Sequence, residues 1–259
     1  MSLPLAEITV VVTRPPDQAA DFIAQLKRLG ANIFPFPTIE IAAPASYADL
    51  DGAIENLSDY DWIVFTSQNA VEHFLGRLTA KNLETAELDY VRVAAIGDQT
   101  AERLRLAQIH IDVLPADSNA ETLFLEIENY VGDLQDLRFL FPRSEIAREI
   151  LPQKLKEAGA IVEAPIAYRT VLPEKPETAR LKAMFAGGSI DCIAFASPSA
   201  FKNFVQILGA NILPSDVAIA CIGETTANAV RESNLKVEII APEATNQSFA
   251  RAIADYFVG

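Results

Sequence analysis

The chain has 259 residues, 50% of them hydrophobic and 22% charged, which is enough apolar mass for a sizeable core and too much for a disordered chain. Its 35 acidic residues against 21 basic ones leave a net charge of −14, which excludes a general nucleic-acid binder, because that needs a basic face to displace counterions. A local cluster of donors for an anionic small molecule remains compatible with that charge.

The first predicted strand covers 8–13 (ITVVVT), a β-branched run apolar on both faces, as a buried parallel strand requires. A helix is predicted over 17–29, where Ala19, Phe22, Ile23, Leu26 and Leu29 recur at three and four and Gly30 follows as a stop. A second strand over 32–36 is closed by Pro37. The same grammar continues, with strands at 62–65, 91–96, 110–114, 138–141, 161–164, 192–195, 217–222 and 237–240. Between them lie helical periods at 69–78, 99–106, 120–131, 147–158, 198–208, 225–232 and 247–256. Strands alternating with short helices mean βαβ units in parallel sheets. Ten strands are too many for one ordinary doubly wound domain of this length, and two five-stranded domains fit better.

An internal repeat supports two domains. VVVTRPPDQAADFIAQLKRLGANIFPFP resembles RFLFPRSEIAREILPQKLKEAGAIVEAP, each with a strand, an arginine (Arg14, Arg143), a helix ending in glycine and a second strand. DWIVFTSQNAVEHFLGRL pairs with DCIAFASPSAFKNFVQIL, and VAAIGDQTAERL with IACIGETTANAV, at offsets of roughly 130 residues. Two stretches without helical period, about 38–45 and 166–175, carry prolines and read as extended linkers. The repeat alone fits a sequential split near 135 as well as an interleaved one; the linkers favour the interleaved one.

In parallel α/β sheets ligands meet the loops after the strands. Those loops hold Arg14, Ser67, Gly97, Thr100, Arg143, Ser197, Gly223, Thr225 and Thr226. Each runs into a helix, whose first N–H groups and partial positive charge suit an anion. Taken singly, each serine or threonine is also an ordinary N-cap candidate. Neither a GxxxxGK nor a GxGxxG spacing is present, which disfavours nucleotide hydrolysis and dinucleotide binding. No GxSxG exists for a hydrolase nucleophile. Asp61 and Asp191 precede strands, at the opposite end of the sheet, which argues against a paired-carboxylate hydrolase. Tyr168, in the second linker, can donate a hydrogen bond to a leaving oxygen.

Cys192 and Cys221 lie in apolar runs and read as small buried hydrophobes, and they exclude a disulfide framework. His73 and His110 have no ligand-like spacing, so no metal is expected. No run of 18 apolar residues suggests a membrane span, and the N-terminus does not read as a signal peptide, so a cytoplasmic protein is expected.

The ordered set VTRP (12–15), FTSQNAV (65–71), AIGDQTA (95–101), FPRSEIAREIL (141–151), Tyr168-Arg169-Thr170, FASPSAF (195–201) and CIGETTA (221–227) resembles the uroporphyrinogen-III synthase family over nearly the full length. The resemblance implies an α/β fold of two flavodoxin-like parallel-sheet domains joined by a two-stranded linker, with the active site in the cleft between them. It implies a discontinuous first domain, 1–37 with 172–259, and a second over 38–171. The implied reaction cyclises hydroxymethylbilane, an open-chain tetrapyrrole, to uroporphyrinogen III without cofactor or metal. Water leaves ring A, ring D attacks through its substituted carbon, and a spiro intermediate fragments and recloses with ring D inverted. Tyr168 falls on the family's tyrosine assigned to hydroxyl loss. Ser67, Thr100, Thr225 and Thr226 fall on its cleft hydroxyls, with Ser197 as the repeat partner of Ser67. Arg14, Arg143 and Arg148 are candidate carboxylate binders, although Arg148 is also placed to pair with Glu145 or Glu149. Gly97 and Gly223 permit close approach of a ligand to the backbone. The family implies a monomer, while the acidic charge and the lack of a long apolar run leave no nucleic-acid or membrane partner expected. The alternative from fold logic is a non-catalytic two-lobed binding protein for a small anionic ligand.

Overall fold

The computed structural model describes residues 3–117, 119–146, 150–209 and 213–259, without the side chain of Asp17. The chain divides into two compact units, Met1–Glu40 with Val171–Gly259, and Ile41–Thr170.

The first unit holds strands β1 (Thr9–Val12) and β2 (Asn32–Pro35), joined by helix α1 (Pro16–Arg28). Three further strands follow from the C-terminal part: β10 (Cys192–Phe195), β11 (Ala218–Cys221) and β12 (Ile239–Ile240). The sheet runs β12-β11-β10-β1-β2, all parallel, with Val11 opposite Ile193 and Ile193 opposite Ile219. Counted along this unit's own strands the order is 2-1-3-4-5, a doubly wound sheet whose switch point falls between β1 and β10. Alternation along the strands builds two cores. Val10, Val12, Cys192 and Ala220 pack on α1 and on α10 (Asn246–Val258), where Phe22 stacks on Phe249 at 4.9 Å. Val11, Ile193, Phe195 and Ile219 pack on α7 (Thr178–Ala186), α8 (Pro198–Leu208) and α9 (Glu224–Arg231) through Leu181, Phe204 and Val230. Each buried Val, Ile, Leu or Phe among them contributes about 1.5–3 kcal/mol.

The second unit repeats the plan with a different chain order. Its main sheet runs β5 (Arg92–Ala95), β4 (Trp62–Phe65), β6 (Arg138–Leu140), β8 (Ile161–Glu163), all parallel. By the sequence repeat, β6 and β8 correspond to β1 and β2, and β4 and β5 to β10 and β11, so both sheets have one spatial order. Ile63, Phe65 and Val93 face α2 (Ala48–Glu55), α3 (Gln68–Ala80) and α4 (Asp98–Leu106); Trp62, Val64 and Phe139 face α5 (Ala120–Val131) and α6 (Ile150–Glu157). A smaller sheet, β3 (Glu40–Ala42), β9 (Ile166–Val171), β7 (Arg143–Ser144), incorporates both stretches read as extended.

Two differences from the sequence reading have physical causes. The strand expected at 110–114 shrinks to one parallel bridge, Val113 to Ala94. There the Asp112 carboxylate, rather than a main-chain carbonyl, accepts the Val93 N–H at 2.8 Å. Helix α2 lay hidden because it is short, has Gly52 inside it and buries only Leu50, Ala53 and Ile54. Asp61 and Asp191 prove to be strand fasteners: they accept the N–H of Arg138 and of Thr9, both at 2.8 Å, at repeat-related positions. Among the described residues no helix is long and apolar enough to cross a membrane.

Candidate functional site

In the second unit the carboxyl end of β4 runs into Ser67, which caps α3 by accepting the Ala70 N–H at 3.1 Å. The same Oγ lies 3.0 Å from the Tyr168 hydroxyl, delivered by β9 from far along the chain. Tyr168 is buried, at 7% exposure. Its ring stacks on His73 of α3, with centroids 5.7 Å apart and planes at 24°. His73 Nδ1 lies 2.8 Å from the Tyr47 hydroxyl. Burial lowers the His73 pKa and raises that of Tyr47, so the imidazole stays neutral and the phenol keeps its proton. The pairing that satisfies both has Tyr47 donating to Nδ1. Arg77 caps the arrangement, with its guanidinium carbon 4.6 Å above the Tyr47 ring and two bonds to Asp51 at 2.7 and 2.6 Å.

Next to Ser67 on the rim, Gly97 ends the β5 loop with φ 85°, a left-handed conformation that favours glycine, and leads into α4, which begins at Asp98. Thr100 is buried at 3% exposure in that first turn. A hollow of about 490 Å³ is lined there by Gln68, Asp98, Gln99 and Arg103. A larger one of about 590 Å³ holds Tyr60, Arg138 and Glu163. These three bind one another, Tyr60 donating to Glu163 at 2.5 Å and Arg138 donating to it through a terminal nitrogen at 2.9 Å, while Arg138 Nε is buried without a partner among the described residues. Arg143 donates from Nε to the Ala164 carbonyl at 3.2 Å and from one terminal nitrogen to the Ser144 carbonyl at 3.3 Å. Arg148 lies outside the described residues.

The first unit carries the matching rim. Ser197 caps α8 by accepting the Ala200 N–H at 3.1 Å, and it meets Ser199 Oγ at 3.0 Å. Gly223 precedes α9 in an extended conformation; Thr225 is exposed and Thr226 buried in the first turn. At the switch point, buried Thr13 donates to the Ala194 carbonyl at 2.8 Å, tying β1 to β10. Thr38 and Asn203 extend that floor, Asn203 donating to the Thr38 carbonyl at 3.2 Å. Half-buried Arg14 donates to Asn246 Oδ1 at 2.8 Å, and its burial lowers its pKa. Both cysteines are buried, which pushes the Cys221 thiol up to about 12 and the Cys192 thiol up as well. Among the described residues no three His, Cys, Asp or Glu side chains gather as metal ligands.

The sequence reading missed His73 and Tyr47 as parts of this arrangement. Each is ordinary in its local context, and only the fold brings 47, 73 and 168 together. A better signal existed for His73, which lies on the helix that Ser67 caps.

A family profile described as uroporphyrinogen-III synthase HemD matches residues 20–251. The chain belongs to the uroporphyrinogen-III synthase family. Among curated proteins, the uroporphyrinogen-III synthase of Chlorobaculum parvum is 36% identical over 95% of this chain and 98% of its own. That of Synechococcus elongatus is 33% identical over 98% of this chain and 97% of its own. In structure, the chain resembles the uroporphyrinogen-III synthetase of Helicobacter pylori with TM-score 0.60 and 17% identity, covering 96% of this chain and 99% of that one. It also resembles a mutant uroporphyrinogen III synthase from Thermus thermophilus with TM-score 0.59 and 18% identity, covering 97% and 99%. At these identities the structures establish the α/β fold, while the sequence matches establish the family.

Proposed function

We propose that this family member acts as a uroporphyrinogen-III synthase: a lyase of tetrapyrrole biosynthesis that takes hydroxymethylbilane, removes water and closes the macrocycle with ring D inverted. What carries the reading beyond family membership is the Tyr168 hydroxyl, held 3.0 Å from the cap serine of a rim helix. Ser67 Oγ already accepts an N–H from the start of α3, so its own proton is available to the Tyr168 oxygen. The Tyr168 proton then points outward to the ring A hydroxyl, which departs as water. The pyrrole nitrogen supplies the electrons that stabilise the resulting cation, so no protein nucleophile is required. The proton given to the leaving hydroxyl is balanced by one released from the ring D carbon when the macrocycle closes.

Hydroxymethylbilane closes unaided to the uninverted isomer, so the protein's task is selection. About 1.4 kcal/mol of differential stabilisation gives tenfold in isomer ratio, and several fixed donors supply that without strong acid–base groups. We assign substrate binding to the rims of both sheets: Arg14, Ser197, Gly223, Thr225 and Thr226 in one unit, and Ser67, Gly97, Thr100 and Arg143 in the other. The repeat-related caps and the half-buried Arg14 support this assignment. The same reading takes the units as two flavodoxin-like domains, 1–37 with 172–259 and 38–171, connected through β3 and β9. It describes a cytoplasmic monomer that needs no cofactor, nucleic acid or membrane.

The test is consumption of hydroxymethylbilane by purified protein with no metal or organic cofactor added. Loss well above the blank rate is expected. Protection of the protein against heat without accelerated substrate loss would instead mark a binding protein.

A further inference from the structure

We propose that His73, held by Tyr47, is a positioning residue that fixes the plane of the Tyr168 ring and thereby the direction of its hydroxyl. The inference rests on the synthase reading and deepens it. The bond to Ser67 at 3.0 Å locates the Tyr168 oxygen, yet a single bond at the tip lets the ring rock about its long axis and the proton swing about the C–O bond. The imidazole of His73 lies along the Tyr168 ring, 5.7 Å between centroids and 24° from parallel, and removes that freedom.

A flat neighbour restrains the ring only if it is itself restrained. His73 is secured on its other edge by the Tyr47 hydroxyl at 2.8 Å. Tyr47 is covered by the Arg77 guanidinium, which two bonds fix to Asp51. The series Asp51, Arg77, Tyr47, His73, Tyr168, Ser67 therefore runs unbroken through one unit. The series explains the residue type. An aliphatic side chain would fill the space without orienting a ring. A phenylalanine would stack but have nothing to bind Tyr47. Burial also keeps the imidazole uncharged, so no positive charge stands beside a reaction that develops one.

Steady-state kinetics on hydroxymethylbilane for wild type, His73→Ala, His73→Phe and Tyr47→Phe test this, with thermal melts as the folding control. His73→Ala should lower kcat about tenfold while KM stays within about twofold, because the group acts on orientation and not on substrate binding. His73→Phe should recover part of that loss, since the flat face returns. Tyr47→Phe should lower kcat about threefold by freeing the imidazole. Tyr47→Phe keeps its ring and His73→Phe leaves no cavity, so these two remain informative if the alanine variant melts early. Wild-type kcat in all variants that fold, or a change confined to KM, would overturn the inference while leaving the synthase reading intact. A wild-type protein that does not consume hydroxymethylbilane would overturn both.

Discussion

At Ser67 one oxygen serves two neighbours, the α3 N-terminus and Tyr168, whereas its repeat partner Ser197 caps α8 and meets, among the described residues, another serine. The comparison separates capping from chemistry. Ser67→Ala and Ser197→Ala should each cost about 1 kcal/mol of cap stability, a fall of about 2–4 °C in melting temperature. Ser67→Ala should in addition lower kcat, whereas Ser197→Ala should act on KM; equal kinetic profiles would refute the distinction. Tyr168→Phe should leave the melting temperature unchanged and cut kcat by about a hundredfold, the usual worth of a positioned proton donor. Unchanged turnover would remove Tyr168 from the mechanism. At this scale the sequence was informative about residues with local grammar, such as a serine between a strand and a helix. It was silent about the pairing of Tyr47 with His73, 26 positions apart on separate elements, because that pairing depends on how α3 and the loop before α2 pack.

The helix-opening glycines look alike in sequence, but the backbone distinguishes them. Gly97 sits at φ 85° and Gly223 at φ 178° with open space where a Cβ would go. Gly97→Ala should destabilise by about 1 kcal/mol or more through left-handed strain. Gly223→Ala should fold normally, so any rise in its KM reports ligand contact at that loop; thermal melts with kinetics read both. Helices α2 and α3 are joined by the Arg77–Asp51 pair, whose side chains are only 25% and 16% exposed. The bonds from Arg77 hold the Asp51 carboxyl below its ordinary range. A carboxylate pKa lower in the folded state stabilises the fold above its unfolded value of about 3.9, and that gain disappears as pH falls through the folded value. Asp51→Asn should therefore melt about 2–4 °C below wild type at pH 7, with the gap closing in strongly acidic buffer. A gap independent of pH would contradict this account. The long periodic elements were legible for the same reason that they are stable: ITVVVT and the α1 heptad-like spacing bury complete faces. Helix α2 and the bridge at Val113 depend on tertiary partners and carry little pattern of their own.

For the whole molecule, the repeat of roughly 130 residues reappears as two parallel sheets with one spatial strand order, reached by different chain orders. The sequence repeat identified equivalent pieces, but not which pieces join in one unit, because a sequential split satisfies it too. The net charge of −14 sets the acidic surface against a substrate that is itself a polyanion. Under the proposed assignment recognition comes from short-range groups, the rim helix N-termini and Arg14, which act within about 10 Å while the remaining charge is screened. Selection among ways of folding a flexible substrate is what the proposed function asks of these short-range groups. The most direct measurement of that selection is the isomer composition of the product formed from hydroxymethylbilane by the purified protein, separated chromatographically. The account predicts predominantly the type III isomer with ring D inverted; type I alone, as in the protein-free blank, would contradict it.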